Sequence, residues 1–248
     1  MAAHQLYLIS LGRLINQNPS TGVAAEAQVP AYLIKSARGK NILVDTGNPA
    51  ALIGAENAAP WAPKLGTRIT EDDDIVVQLA RMGLRPKDID LLVTTHFDFD
   101  HCGRHDAFAA ENVHVLVQRR HFEHAMTRPK RYDQSLFLFD GWNYDLIDGD
   151  VELERGIVLL ETSGHAIGHQ SVYVDSANGP VLLAIDAISR PVVAQTREFP
   201  SNYEDVEAAN QSIDKLMDFA LDYRTYTIFG HEITQWETLS HAPRVFSR

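Results

Sequence analysis

The sequence holds a single cysteine, Cys102, in 248 residues. One thiol cannot build an intramolecular disulfide framework or a thiolate metal site, and a disulfide-free chain is expected in a reducing compartment, here the cytoplasm. Long apolar runs are missing too: no stretch approaches the ~20 residues a membrane helix needs. The first residues, Met1 to Gln5, lack the basic and apolar segments of a secretion signal, so none is expected. Positive charge is scarce, with 22 Lys and Arg against 33 Asp and Glu, for a formal net charge of −11. Nucleic acids and acidic membranes require a basic face, so neither is expected as a partner. No Gly-x-Ser-x-Gly elbow and no plausible Cys–His pair is present for nucleophilic catalysis.

What is present is an ordinary globular composition, 45% hydrophobic and 22% charged, and residues 1–248 are expected to form one domain. Short β-rich runs occur at 6–11, 31–36, 41–45, 89–95, 113–118, 157–161, 171–174, 181–185 and 226–229. Between them, 74–82 carries Ile75, Val76, Leu79 and Met82 at helical spacing. A longer helix is expected over 202–222, with Ser201 and Glu204 as a capping box. Its apolar stripe is Val206, Ala209, Ile213, Leu216, Met217 and Ala220. Strands alternating with helices predict an α/β layered architecture. Two stretches, 48–67 and 126–150, lack regular periodicity and read as long loops.

The chemistry is concentrated in Thr95-His96-Phe97-Asp98-Phe99-Asp100-His101-Cys102-Gly103, directly after the 89–95 run. Four side chains with nitrogen or oxygen donors occupy six positions. Carboxylates this close repel and raise each other's pKa unless a cation sits among them. His and Asp donors without thiolates suit zinc, iron or manganese.

This pattern resembles the metallo-β-lactamase superfamily, whose hallmark is His-x-His-x-Asp-His after a strand. Other motifs follow in the same order: Asp45-Thr46-Gly47, Thr162-Ser163-Gly164-His165, His169, a strand-ending Asp186 and a strand-ending His231. The resemblance implies an αββα sandwich and two zinc ions. It assigns His96, Asp98 and His165 to the first ion and Asp100, His101 and His231 to the second, with Asp186 bridging them. Asp100 would also be the catalytic group that passes a proton to the leaving oxygen. His169, Asp45 and Cys102 would lie behind the ligands. Asp98 stands where the family usually has its second histidine, which adds negative charge to the first site.

Within the superfamily the chain is similar to the lactonases, through His165-x-x-x-His169-Gln170-Ser171, Asp186-Ala187 and Phe199-Pro200. N-acyl homoserine lactonases usually carry a tyrosine three residues after the bridging aspartate; Ser189 holds that place here and is a candidate substrate contact. The His-Phe-Asp-Phe-Asp-His form and chain length are similar to 4-pyridoxolactonases. The resemblance therefore implies hydrolysis of a small aromatic lactone, 4-pyridoxolactone to 4-pyridoxic acid in vitamin B6 degradation. The alternatives are hydrolysis of N-acyl homoserine lactones (quorum quenching) and a metal-binding module without activity. Trp61, Phe97, Phe99, Trp142 and Tyr144 are aromatic candidates for the pocket wall, and Arg190 reads as a surface residue.

Overall fold

The computed structural model describes residues 3–17, 24–54 and 65–247. Strands β1 (Gln5–Gln17) and β2 (Ala24–Lys35) form a long antiparallel hairpin. Side chains alternate across it, so Leu6 and Leu8 face one side while Tyr7 and Ile9 face the other, and both sides are buried. That double burial explains the near-continuous apolar character of β1 and β2. β3 (Asn41–Val44) adds antiparallel to β2, and β4 (Leu65–Arg68) covers the far edge of β1. β5 (Leu91–Val93), β6 (Val115–Gln118) and β7 (Tyr144–Ile147) then extend the sheet in parallel from β3. The seven-stranded order is β4-β1-β2-β3-β5-β6-β7.

The second sheet contains β8 (Val151–Glu154), β9 (Ile157–Glu161), β10 (Gln170–Ser176), β11 (Gly179–Ile185) and β12 (Tyr226–Phe229). Its order is β12-β11-β10-β9-β8, with only β11 and β12 parallel. Leu6, Leu8, Ile34 and Val44 of the first sheet meet Leu159, Val172, Leu183 and Ile228 of the second in one buried core.

Helices cover the two outer faces. In chain order they are α1 (Ile75–Arg81), α2 (Phe99–Cys102), α3 (His105–Ala109), α4 (Arg119–Met126), α5 (Pro191–Thr196), α6 (Val206–Asp222) and α7 (Ile233–Trp236). Ile75, Leu79 and Phe108 pack on the outer face of the first sheet, and Ile213 and Leu216 on that of the second. The result is the expected αββα sandwich. Among the described residues no helix is long and apolar enough to cross a membrane.

Three local expectations need correction. Helix α6 starts at Val206 with Asp205 as its cap, accepting from Ala208 N at 2.9 Å. Glu204 is drawn away by His124, Tyr132 and Ile167 N, which leaves no capping box at Ser201. Val206 and Met217 are exposed, so the buried stripe of α6 is narrower than the sequence implied. The stretch 126–150 is not all loop, since it carries β7 and a short 3-10 turn, Gln134–Leu136. The described part of 48–67 likewise contributes β4 and the 3-10 turn Ala50–Leu52.

Candidate metal centre

Parallel pairing brings the carboxyl ends of β3 and β5, and of β11 and β12, to one edge of the sandwich. From β5 the chain runs through Thr94 and Thr95 to His96. Thr95 N and Oγ1 donate to the two oxygens of buried Asp45 at 2.8 and 2.7 Å. Asp45 Oδ2 also lies 2.8 Å from His101 Nδ1, fixing that ring so that Nε2 points away from Asp45. Asp98 precedes α2, and Asp100 and His101 lie within it. His165 comes from the turn between β9 and β10. Its neighbour Gly164 has φ +144, and a Cβ there would collide with the Ala209 backbone of α6.

Asp186 follows β11 directly. The residue before it, Ile185, sits at φ 51, an outlier for a β-branched side chain. Such strain is held by surrounding contacts and here turns the Asp186 carboxylate to the sheet edge. His231 follows β12, and its Nδ1 is 2.7 Å from the Gln28 carbonyl, so Nε2 is again the free end. Gly230 is required by close approach, because a Cβ would strike the Ile185 carbonyl.

The seven expected donors converge. His165 Nε2 lies 2.9 Å from Asp98 Oδ2 and 3.3 Å from Asp186 Oδ2. His96 Nε2 is 3.5 Å from Asp98 Oδ2. On the other side, His101 Nε2 is 3.7 Å from Asp100 Oδ2 and 3.5 Å from Asp186 Oδ1, and His231 Nε2 is 3.0 Å from Asp186 Oδ1. Three groups have donor atoms close enough to hold a cation: His96, Asp98 and His165; His96, His101 and Asp186; Asp100, His101 and His231. His96 Nε2, His101 Nε2 and Asp186 Oδ1 are buried without a hydrogen-bond partner. Buried polar atoms rarely remain so, and three facing one another fit a metal pair.

The electrostatics agree. Burial alone would lower His101, yet Asp100, Asp186 and Asp45 outweigh it and push its pKa up to about 10. Burial also acts downward on His231, but Asp186 and Asp100 raise it to about 9. Asp98 is held well below the usual carboxylate range, because His165, His96 and Arg131 overcome its desolvation. Asp100 moves the other way: burial raises it despite His101 and His231.

Around this cluster the supporting residues fall largely where expected. His169 lies behind the site, its Nε2 accepting from Asp186 N at 3.3 Å and its Nδ1 2.9 Å from Thr162 Oγ1. Cys102 is fully buried, packed with Phe97. Among the aromatic candidates, Phe97 is core, stacked on Phe137 at 4.1 Å, and Trp142 is core with its indole N–H donating to Val113 O. Tyr144 donates to Phe137 O. Only Phe99 reaches the cavity, while Trp61 lies outside the described residues.

A cavity of about 1020 Å³ opens beside the donors. Asp98, Asp100, His165, Asp186, Ser189 and His231 form its floor, and Leu14, Ala27, Phe99, Val193 and Phe199 give it an apolar wall. Arg190 also lines it, tied to the hairpin by a 2.9 Å bond from Nη2 to Glu26 O, which corrects its reading as a surface residue. Two cavity residues had no sequence signal. Arg131 forks onto Asp98, with Nε at 3.1 Å and Nη2 at 2.9 Å. Tyr203 sets its ring edge against His165 at 5.0 Å and donates to the Asp186 carbonyl at 2.8 Å.

Comparison with known proteins places this geometry. The family model described as the metallo-beta-lactamase superfamily matches residues 24–231. An N-acyl homoserine lactonase from a Bacillus species is 34% identical over 245 residues, covering 95% of this chain and 96% of the relative. A solved N-acyl homoserine lactone hydrolase, with the product N-hexanoyl-L-homoserine bound at its catalytic metal center, superposes with a TM-score of 0.88. It is 32% identical, and the match covers 99% of this chain and 100% of that one. The dizinc quorum-quenching lactonase AidC shares the fold with a TM-score of 0.71 at 14% identity, covering 100% of this chain and 95% of that one. The chain belongs to the metallo-beta-lactamase superfamily and, within it, to the branch of metal-dependent lactone hydrolases.

Proposed function

We propose that this protein opens N-acyl homoserine lactones, as a cytoplasmic quorum-quenching enzyme. The observation that carries the reading is the cavity, which is lined both by carboxylates and imidazoles of the donor set and by the apolar side chains of Leu14, Ala27, Phe99, Val193 and Phe199. The end-to-end likeness to N-acyl homoserine lactonases supports the same substrate class. It moves 4-pyridoxolactone, the first expectation from the sequence, to second place. That second reading keeps one observation in its favour. Ser189 stands where the usual tyrosine would, and it lines the same cavity as two aromatic rings, Phe99 and Phe199.

His96, Asp98 and His165 would hold one zinc-type ion and Asp100, His101 and His231 a second, with Asp186 reaching both. When bound, such a pair supplies Lewis acidity and water of lowered pKa. Asp100, buried beside His101 and His231, would take up the proton that the attacking water gives up and pass it to the ring oxygen as the C–O bond breaks. The apolar wall orients the substrate's acyl chain and excludes water from it. Ser189, at the cavity floor, is placed to contact the lactone. Tyr203 keeps its hydroxyl proton, since burial raises its pKa, and so remains a donor beside Asp186.

Side-by-side rates for N-hexanoyl homoserine lactone and 4-pyridoxolactone test the assignment. We expect kcat/KM for the acyl lactone to be higher by about 10². A reversed ratio would establish the aromatic lactone, and no turnover of either would reject both. His231→Ala should keep the fold, lose close to one of two bound ions and cost at least ~10²-fold in turnover. Wild-type metal content and rate in that variant would reduce His231 to a strand cap.

A further inference from the structure

Asp98 makes the donor set unusually acidic, since Asp98, Asp100 and Asp186 together bring three carboxylates to one cluster. One cation answers it directly. Arg131 follows α4 in a tight turn, its backbone N donating to Arg128 O at 3.0 Å. Its guanidinium meets Asp98 with two parallel bonds, Nε to Oδ1 at 3.1 Å and Nη2 to Oδ2 at 2.9 Å. The third nitrogen, Nη1, donates to Asn202 O at 2.6 Å and lies 3.7 Å from Glu204 Oε1. The ring of Tyr132 lies under the guanidinium, 5.0 Å from its centre.

Two tasks are separable in this arrangement. Bonds to Asn202 and Glu204 tie the segment after α4 to the approach of α6, and that task needs only Nη1. The fork on Asp98 uses the other two nitrogens, of which Nη2 also lies 3.3 Å from His165 Nε2, and plays no part in that tie. A bidentate Arg–carboxylate pair fixes the carboxylate plane as well as supplying charge. Here the plane is fixed with Oδ2 facing His165 Nε2 at 2.9 Å and His96 Nε2 at 3.5 Å.

We propose that Arg131 is a positioning residue of the first metal site, holding the Asp98 carboxylate and offsetting the charge it brings in place of an imidazole. The Asp98–Arg131 pair then acts as one near-neutral donor, and the first site keeps the net charge of a histidine-based set. This rests on the metal assignment above but not on which lactone is hydrolysed. It makes the two residues interdependent. A histidine at position 98 alone would leave Nε and Nη2 of Arg131 without their carboxylate and facing a dication, with only Nη1 still held by Asn202 and Glu204.

The test is a double-mutant cycle on metal affinity, read without substrate. Metal-free wild type, Asp98→His, Arg131→Met and the double variant are titrated with zinc against a chromophoric chelator. Circular dichroism reports that each is folded. In the Asp98 chain, Arg131→Met should weaken the tighter zinc about 10-fold, the scale of losing an outer-shell partner. In the Asp98→His chain the same substitution should strengthen it by a similar factor, because a repulsive charge is removed. Opposite signs in the two backgrounds are the signature. Equal changes in both, or an Asp98→His chain that binds zinc as tightly as wild type, would overturn the pairing. Wild-type protein that binds no zinc would overturn the metal assignment itself. If Arg131→Met does not fold, Arg131→Lys replaces it in both backgrounds: it keeps the charge but cannot fork. It should weaken zinc in the Asp98 chain and leave it unchanged in the Asp98→His chain.

Discussion

Replacing Asp186 by asparagine should leave at most one metal ion per chain and lower lactone turnover by roughly 10³-fold, about 4 kcal/mol of barrier. Every donor imidazole except His96 lies within 3.5 Å of this carboxylate: His231 at 3.0 Å, His165 at 3.3 Å and His101 at 3.5 Å. Its two oxygens face opposite halves of the cluster, Oδ2 towards His165 and Oδ1 towards His101. An amide keeps only one acceptor and turns an NH₂ group towards the imidazoles, so it can serve one half at most. The backbone of Asp186 is held by His169 at its N–H and by Tyr203 at its carbonyl, and its side chain is buried, which leaves little room to compensate. Elemental analysis and kcat/KM of the folded variant check this. Two ions and wild-type turnover would remove Asp186 from the role of bridge.

The layered fold was legible where burial imposed a pattern. β9, β11 and β12 are short apolar runs bounded by turns, and the sequence places them within two residues. β7 and β8 escaped notice because they are only four residues long and carry charge: Tyr144-Asp145-Leu146-Ile147 does not alternate cleanly, and Val151-Glu152-Leu153-Glu154 alternates over too short a run to stand out. The site divides the same way. His96 to His101 stand out because the donors are neighbours in the chain. His165, Asp186 and His231 came from family resemblance, since a lone histidine or aspartate after a strand has no signal of its own. Arg131 lies 33 residues from Asp98, and nothing local marks their pairing. The helix-cap error has the same origin: Glu204 fits a capping pattern locally but is taken by His124, 80 residues away. Long-range polar partners are chosen by the fold, after the pattern has been read.

Zinc uptake by the metal-free protein at pH 7.5 should release at least about two protons per chain, one each from His101 and His231. Without metal, His101 titrates at about 10 and His231 at about 9, so both are imidazolium at this pH. His96 is already neutral, because burial holds it well below 6.5. An imidazole can ligate a metal only after losing its proton, so His101 and His231 must each give one up. Both pKa values are raised above the unfolded value of about 6.5. Their contribution to stability is therefore complete below about pH 6.5 and is lost as pH rises through 9 and then 10. The metal-free protein should melt at progressively lower temperature across that window, at roughly 2–4 °C per kcal/mol for a chain of this size. Zinc-loaded protein should not show this slope, because its imidazoles are already neutral. Calorimetric titration in two buffers of different ionisation heat gives the proton count, and melting curves from pH 6 to 10 give the slope. Release close to zero at pH 7.5, with parallel melting profiles for loaded and metal-free protein, would mean that His101 and His231 do not both ligate metal.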